Sequence, residues 1–312
     1  MHTLLVDHQG ATLAHEAGAL CVRDGGGVLQ RVPLTQVARV IVENDALLSV
    51  QLVRQLAAAG IPLVIARGRS RASAALLAPV AGDARRRLRQ TRAWLDAGLR
   101  LELARHVVRL RLRSQIRNLR GWAGEAPALR YPLLRAARAL RRLHSRIQDA
   151  PALPSLRGLE GVAGRVYFSA MRLLLAPALG FDGRRRRPPT DPVNAALSLG
   201  FTMLHGRALE AAHRAGLDAC IGALHEPAHG RASLACDLME AERAAVERLV
   251  VQLFRSRALE AHHFGRSGQA CLLGKEGRGP FFGQLEPVLR RADGRMARRI
   301  ARLLAQLPAL PA

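Results

Sequence analysis

The 312-residue chain has one lysine, Lys275, and only 24 acidic residues to set against 48 basic ones. The formal net charge is +24. GC-rich coding accounts for arginine in place of lysine, but not for the missing acids. A surplus of this size cannot neutralise itself and points to a polyanionic partner, with nucleic acid favoured over an acidic membrane surface. Cysteine is also scarce: Cys21, Cys220, Cys236 and Cys271 form no C-x-x-C pair. That argues against a disulfide framework or zinc site and for a reducing, cytoplasmic setting. No charge-free apolar run approaches the roughly 18 residues of a membrane helix, so no membrane partner is expected. The start, "MHTLLVDHQG", lacks the basic and apolar segments of a signal peptide. There is no sign of a repeat array.

What is present is apolar: 49% of the residues are hydrophobic, in a chain long enough for two domains. The first 80 or so residues carry short β-branched runs, "TLLVD", "ALCVRD", "VLQRVP" and "VARVIVE", separated by turn signals. "SVQLVRQLAAAG" (49–60) reads as one helix, capped by Ser49 and stopped by Gly60. "IPLVIA" and "SAALLAP" return to strand, giving a β-rich domain over 1–82. From about residue 84 the period is helical. One helix, or two joined near Gly98, should be followed by others at about 130–149, 155–178, 192–215, 233–260 and 284–307. The expected fold class is therefore α+β, with a helical domain over 83–312.

Two basic features stand out. Arg105, Arg109, Arg113 and Arg117 recur every four residues. Like charges at that spacing repel by roughly 0.2–0.5 kcal/mol per pair, so the stripe either meets an anion or lies in water. "DGRRRRPP" places Arg184, Arg185, Arg186 and Arg187 in a Gly/Pro-bounded loop suited to phosphate contact. After it, Asp191 can cap a helix that opens with Pro192.

The densest group of candidate ligands is "LHEPAHGRASLACDLMEAER" (224–243). With Ser233 as cap, Asp237 and Glu240 share a helical face, while His225 precedes the helix in a loop. A histidine with two carboxylates suits Mg²⁺ or, with the imidazole, Mn²⁺. The same residues also fit a solvated helix edge, and spacing alone does not separate the two. Glu226, Glu242, His229, His262 and His263 read as bystanders. Glu160 interrupts an apolar segment in which Gly158, Gly161 and Gly164 permit close packing; it needs a metal, a cation such as Arg157 or Arg165, or solvent.

Several stretches together resemble the CRISPR-associated protein one family, the nuclease-integrases of spacer acquisition. They are "LEGVAGRVYF", "RRRRPPTDPVNAALSLGFTMLHGRALEAAHRAGLDACIGALHEP" and "ASLACDLMEAER", in that family's order, with "LARHVVRLRLRSQIRNL" similar to its first long helix. The resemblance implies an N-terminal β-sandwich-like dimerisation domain and an all-α catalytic domain. It implies a metal held by Glu160, His225 and Glu240, with Asp237 close by and functionally important. Glu240 stands where the family commonly has aspartate, which keeps the carboxylate and lengthens its reach. Asp191 and Asn194 match positions that place the helix before the site. The implied partners are double-stranded DNA, a second copy of the chain and a small second CRISPR adaptation protein. The implied chemistry is Mn²⁺- or Mg²⁺-dependent DNA cleavage, or joining of 3′-hydroxyl ends to a repeat array. A transposon-borne integrase and a catalytically inactive DNA-binding scaffold are the competing readings.

Overall fold

A computed structural model describes residues 2–25, 27–65, 74–76, 84–185 and 187–310. The chain divides into two compact units, Met1–Ala81 and Gly82–Ala312. The expected boundary at 82/83 falls outside the described residues, as does Arg186.

In the first unit β1 (His2–Val6), β5 (Val37–Val42), β7 (Leu63–Ile65) and β8 (Ala74–Leu76) form one sheet in the order β1-β5-β7-β8. A second sheet has the order β4-β3-β2-β6, from β2 (Ala11–Glu16), β3 (Ala19–Asp24), β4 (Gly27–Pro33) and β6 (Ala46–Leu48). Leu4, Val6 and Val40 of the first sheet share one hydrophobic cluster with Leu13, Leu20 and Val22 of the second. Helix α1 (Val50–Ala58) adds Leu52 and Leu56 to it. Ser49 Oγ accepts from Leu52 N at 3.1 Å. At the other end Gly60 takes φ +66°, and Ile61 N reaches back to Leu56 O at 2.8 Å, the reversal glycine provides at helix ends. Strands β2 and β6 are absent from the sequence expectation. β2 hides its pattern because only Ala11 and Leu13 alternate inward before His15 and Glu16, and β6 has three residues.

The second unit is helical: α2 (Ala84–Leu95), α3 (Ala97–Glu125), α4 (Arg130–Ser145), α5 (Leu153–Arg172), α6 (Pro192–Arg214), α7 (Ser233–Glu240), α8 (Arg243–Arg255) and α9 (Lys275–Gln306). The first long stretch is two helices joined near Gly98, as expected, with the Asp96 carboxylate capping Leu99 N at 2.9 Å. Three expectations need correcting. The expected helix over 233–260 is two, α7 and α8, divided at Ala241–Glu242. A hairpin, β9 (Phe264–Ser267) with β10 (Ala270–Leu273), follows it. α9 begins nine residues before the expected 284, because burial of Phe281 and Leu285 overrides the Gly/Pro content of its first turns.

Helix α3 runs for 29 residues, about 44 Å, along the core. Its inner face buries Ala104, Val108, Leu112, Leu119 and Trp122, and also the polar Arg111, Gln115 and Asn118. Arg111 Nη2 meets Glu247 Oε1 of α8 at 2.6 Å, and its Nε lies 3.6 Å from Glu240 Oε2 of α7. Asn118 Nδ2 donates to Tyr167 Oη of α5 at 2.9 Å and to Ala244 O at 2.7 Å. Burial works against charge on Arg111, but Glu247 and Glu240 more than offset it and hold the guanidinium ionised. α6 comes close to α8 at Gly200, where a Cβ would fall 2.6 Å from Val246 Cγ1.

Removing one partner of a buried ion pair strands the other charge, at about 3–5 kcal/mol. Glu247→Gln is expected to destabilise the protein by about that much in urea unfolding. Glu125→Gln, which removes the exposed pair with Arg248, should cost under about 1 kcal/mol. Equal effects of the two substitutions would show that the Arg111 network does not hold α3 to α8.

Candidate functional site

The loop before α7 is fixed from four helices. Gln90 of α2 is buried; its Nε2 donates to Asp218 O and Ile221 O, each at 2.9 Å, and its Oε1 accepts from Asp218 N at 2.9 Å. Arg100 of α3 donates to Ala223 O at 3.3 Å and pairs with Glu226 at 3.0 Å. Arg157 of α5 donates from Nη2 to Leu224 O at 2.8 Å and pairs with Glu226 at 3.4 Å. The fourth anchor is Asp237 of α7. Its Oδ2 accepts from Ala223 N at 2.6 Å and Leu224 N at 3.0 Å, and its Oδ1 from His225 N at 3.1 Å.

Asp237 Oδ1 is also 2.7 Å from His225 Nδ1. A carboxylate there requires a proton on Nδ1 and leaves Nε2 as the lone-pair nitrogen, the arrangement that orients a metal-binding imidazole. Burial opposes charge on His225, but the hydrogen bond and charge of Asp237, with Glu240 behind it, raise its pKa. Asp237 is thus occupied in holding the loop and the imidazole. Gly222 is required for this approach: a Cβ there would lie 2.6 Å from Ser233 C and 2.9 Å from Asp237 Oδ2.

Glu240, three residues on, is buried on the Arg111 side. Its Oε1 is 3.1 Å from Arg243 Nε. Glu160 is half-buried in a cleft of about 440 Å³ that it lines with Arg111, Arg243, Gly161, Gly164 and Arg184. It carries no salt bridge among the described residues; Arg157, three residues earlier on α5, reaches the His225 loop instead. The glycines beside Glu160 do not serve helix packing. A Cβ at Gly158, Gly161 or Gly164 would meet nothing within 4 Å, and Gly161 and Gly164 border the open cleft.

Asp237 and Glu240 therefore both bear on His225, while Glu160 and Glu240 share Arg111 and Arg243 as neighbours. Two carboxylates and an oriented imidazole fit Mn²⁺ or Mg²⁺ in kind. Among the described residues no three such side chains are close enough together to hold an ion, and arginines lie against the Glu240 carboxylate.

Ser233 is not a cap. Its hydroxyl donates to Glu226 O at 2.8 Å, and α7 starts without a side-chain cap. Glu242 is not solvated: it is 2% exposed and takes Arg295 at 2.5 Å and Arg299 at 2.6 Å. Exposed Glu226 is a clasp between Arg100 and Arg157, and His229 lies in solvent. Sequence reasoning passed over Gln90, Arg100, Arg111 and Arg243; the signal for Arg111 was an arginine inside the apolar stripe of α3.

The basic residues divide by partner. Arg105 pairs with Glu102 and donates to Ala150 O at 2.7 Å, and Arg109 is held by Gln148. Arg113 and Arg117 are exposed. Arg184 donates to Asn194 Oδ1 at 2.8 Å and Ser198 Oγ at 3.0 Å, and its guanidinium lies 5.3 Å from the Phe201 ring centre. Arg185 and Arg187 are exposed, with Arg185 N donating to Asn194 Oδ1 at 2.9 Å. Fully buried Asn194, itself bonded to Asp191 and Gly183 O, thus fixes the basic loop to the start of α6.

Comparison with known proteins identifies the family. A family model described as CRISPR associated protein Cas1 matches residues 4–286. The CRISPR-associated endonuclease Cas1 1 of Thermodesulfovibrio yellowstonii is 30% identical over 289 residues, covering 90% of this chain and 89% of its own. The CRISPR-associated endonuclease Cas1 3 of Thermus thermophilus is 34% identical over 294 residues, 93% of this chain and 83% of its own. In fold the chain is similar to a CAS1 protein from Thermotoga maritima, with TM-score 0.84 and 23% identity over 100% of this chain and 99% of that one. A casposase bound to integration product gives TM-score 0.83 at 19% identity, over 98% and 91% of the two chains. A Cas6-RT-Cas1–Cas2 complex gives 0.76 at 23%, over 99% of this chain and 36% of that one. The family match spans both units and includes every residue of the His225 loop and its anchors, and the chain belongs to the CRISPR-associated Cas1 family.

Proposed function

We propose that this protein is a divalent-metal-dependent DNA endonuclease and integrase of CRISPR adaptation, joining the 3′-hydroxyl ends of short duplex DNA to a repeat array by transesterification. The observation that carries the reading is the Asp237–His225 pair, with Glu240 at its back and Glu160 in the adjoining arginine-lined cleft. Relatives named as endonucleases and a likeness in fold to a casposase support it.

Glu160, His225 and Glu240 would hold Mn²⁺ or Mg²⁺. The ion would lower the pKa of a water or sugar hydroxyl and offset charge on the phosphoryl transition state. Asp237 keeps the imidazole in one tautomer and orientation. Arg111 and Arg243 hold Glu240, and a bound cation would have to compete with them for its carboxylate. Arg113, Arg117, Arg185 and Arg187 would contact phosphates and so position DNA without reading its sequence. We assign dimerisation to the first unit as a β-sandwich-like domain, and a small second adaptation protein as partner, in keeping with the Cas1–Cas2 likeness. A transposon-borne integrase is the second reading, favoured by the casposase likeness.

Glu160→Ala and His225→Ala are each expected to abolish cleavage and strand transfer with DNA binding nearly intact; unchanged Mn²⁺-dependent activity in both would overturn the site. Asp237→Asn should weaken Mn²⁺ binding by about 10–100-fold in a metal titration, the usual cost of losing a ligand's orienting partner. Gly222→Ala, by pushing the loop off Asp237, should lower activity and the unfolding midpoint together. Incubation with branched DNA and Mn²⁺ discriminates the inactive scaffold: no product at any metal concentration would favour it.

A further inference from the structure

Arg113, Arg117 and Arg120 lie about 180–240° around the α3 axis from Arg111, so they face away from the Glu240 cleft. Arg141 and His144 of α4 complete a second cleft with them, of about 410 Å³, floored by Ile116. No carboxylate lines it. Some arginines elsewhere are tied to acids, as Arg111, Arg207, Arg295 and Arg299 are. Among the described residues none of these four guanidiniums has a salt-bridge partner, and all four side chains are exposed. Arg113 Nε donates to His144 Nε2 at 3.2 Å, which requires that nitrogen to be unprotonated. Burial, then the charges of Arg113 and Arg109, lower the pKa of His144 accordingly.

Four guanidiniums around one cleft repel each other, and a polyanion relieves that repulsion. Guanidinium forks match phosphate oxygens in pairs. From Arg113 to Arg120 the helix rises about 10 Å, the axial length of about three nucleotides of one strand. A single inorganic phosphate would engage one or two forks and leave the rest unrelieved. We propose that the α3–α4 cleft binds consecutive backbone phosphates of a nucleic-acid strand, as a grip separate from the Glu160–His225–Glu240 cleft and on the opposite face of α3. The grip would hold a segment of strand that does not itself enter the reacting site. The proposal rests on the reading of the protein as DNA-acting, but not on its chemistry.

The test is binding of the full chain to duplex DNA without divalent metal, as a function of salt. Each phosphate contact contributes about 0.9 to the slope of log affinity against log salt. A variant with Arg117→Gln, Arg120→Gln and Arg141→Gln together should lose about 2–3 of that slope. A charge-matched control with Arg290→Gln, Arg291→Gln and Arg298→Gln on α9 should lose less. His144 is the local reporter: duplex DNA should raise its NMR titration midpoint in the native chain and leave it unmoved in the cleft variant. Equal loss of slope in both variants, or a His144 midpoint indifferent to DNA, would overturn the proposal. A midpoint that responds to inorganic pyrophosphate and not to duplex DNA would overturn the nucleic-acid source. DNA held by this cleft but neither cut nor joined would leave the grip standing and sink the integrase reading.

Discussion

The constraint on which the rest of the helical unit depends is the scarcity of carboxylates and the burial of six of them. Asp191, Glu210, Asp237, Glu240, Glu242 and Glu247 are all buried. Glu247 and Glu240 ionise Arg111, Glu242 draws Arg295 and Arg299 from α9, and Asp191 starts α6. Inside a protein such pairs interact more strongly than in water, and leaving one unpaired is correspondingly costly. The few acids thus fix where helices meet, and arginine is left to dominate the solvent face.

The candidate site is a by-product of the same arrangement. Its histidine sits in irregular backbone, which becomes precise only because its amides and carbonyls are answered by Gln90, Arg100, Arg157 and Asp237. Asp237 has two roles in one carboxylate: it satisfies three loop amides and it turns the imidazole. Loss of the loop and loss of the imidazole's orientation are therefore the same event.

Much of this was legible in the sequence where periodicity and end signals agreed. Ser49 and Gly60 bound α1, and Asp191 with Pro192 opens α6, as local chemistry dictates. The family resemblance set Glu160 beside the 225–240 segment as an expectation, which helical phase could not supply. Phase says which residues share a face, not which element arrives opposite. Hence Glu242 read as solvated when α9 in fact covers it, and the glycines of α5 read as a packing surface when they border open space. The hairpin β9–β10 was missed because its four-residue strands carry too little alternation to stand out after a helix.

Arg184 and Arg243 both lie over the ring of Phe201, at 5.3 and 4.8 Å from its centre. A ring quadrupole attracts a guanidinium without carrying net charge. Phe201 therefore anchors one cation of the basic loop and one beside Glu240 while leaving both at full formal charge. Because it needs no counter-ion, such an anchor loses less to added salt than an ion pair does. In a chain with so few acids, aromatic faces and backbone carbonyls can give arginines fixed positions without discharging the surface they form.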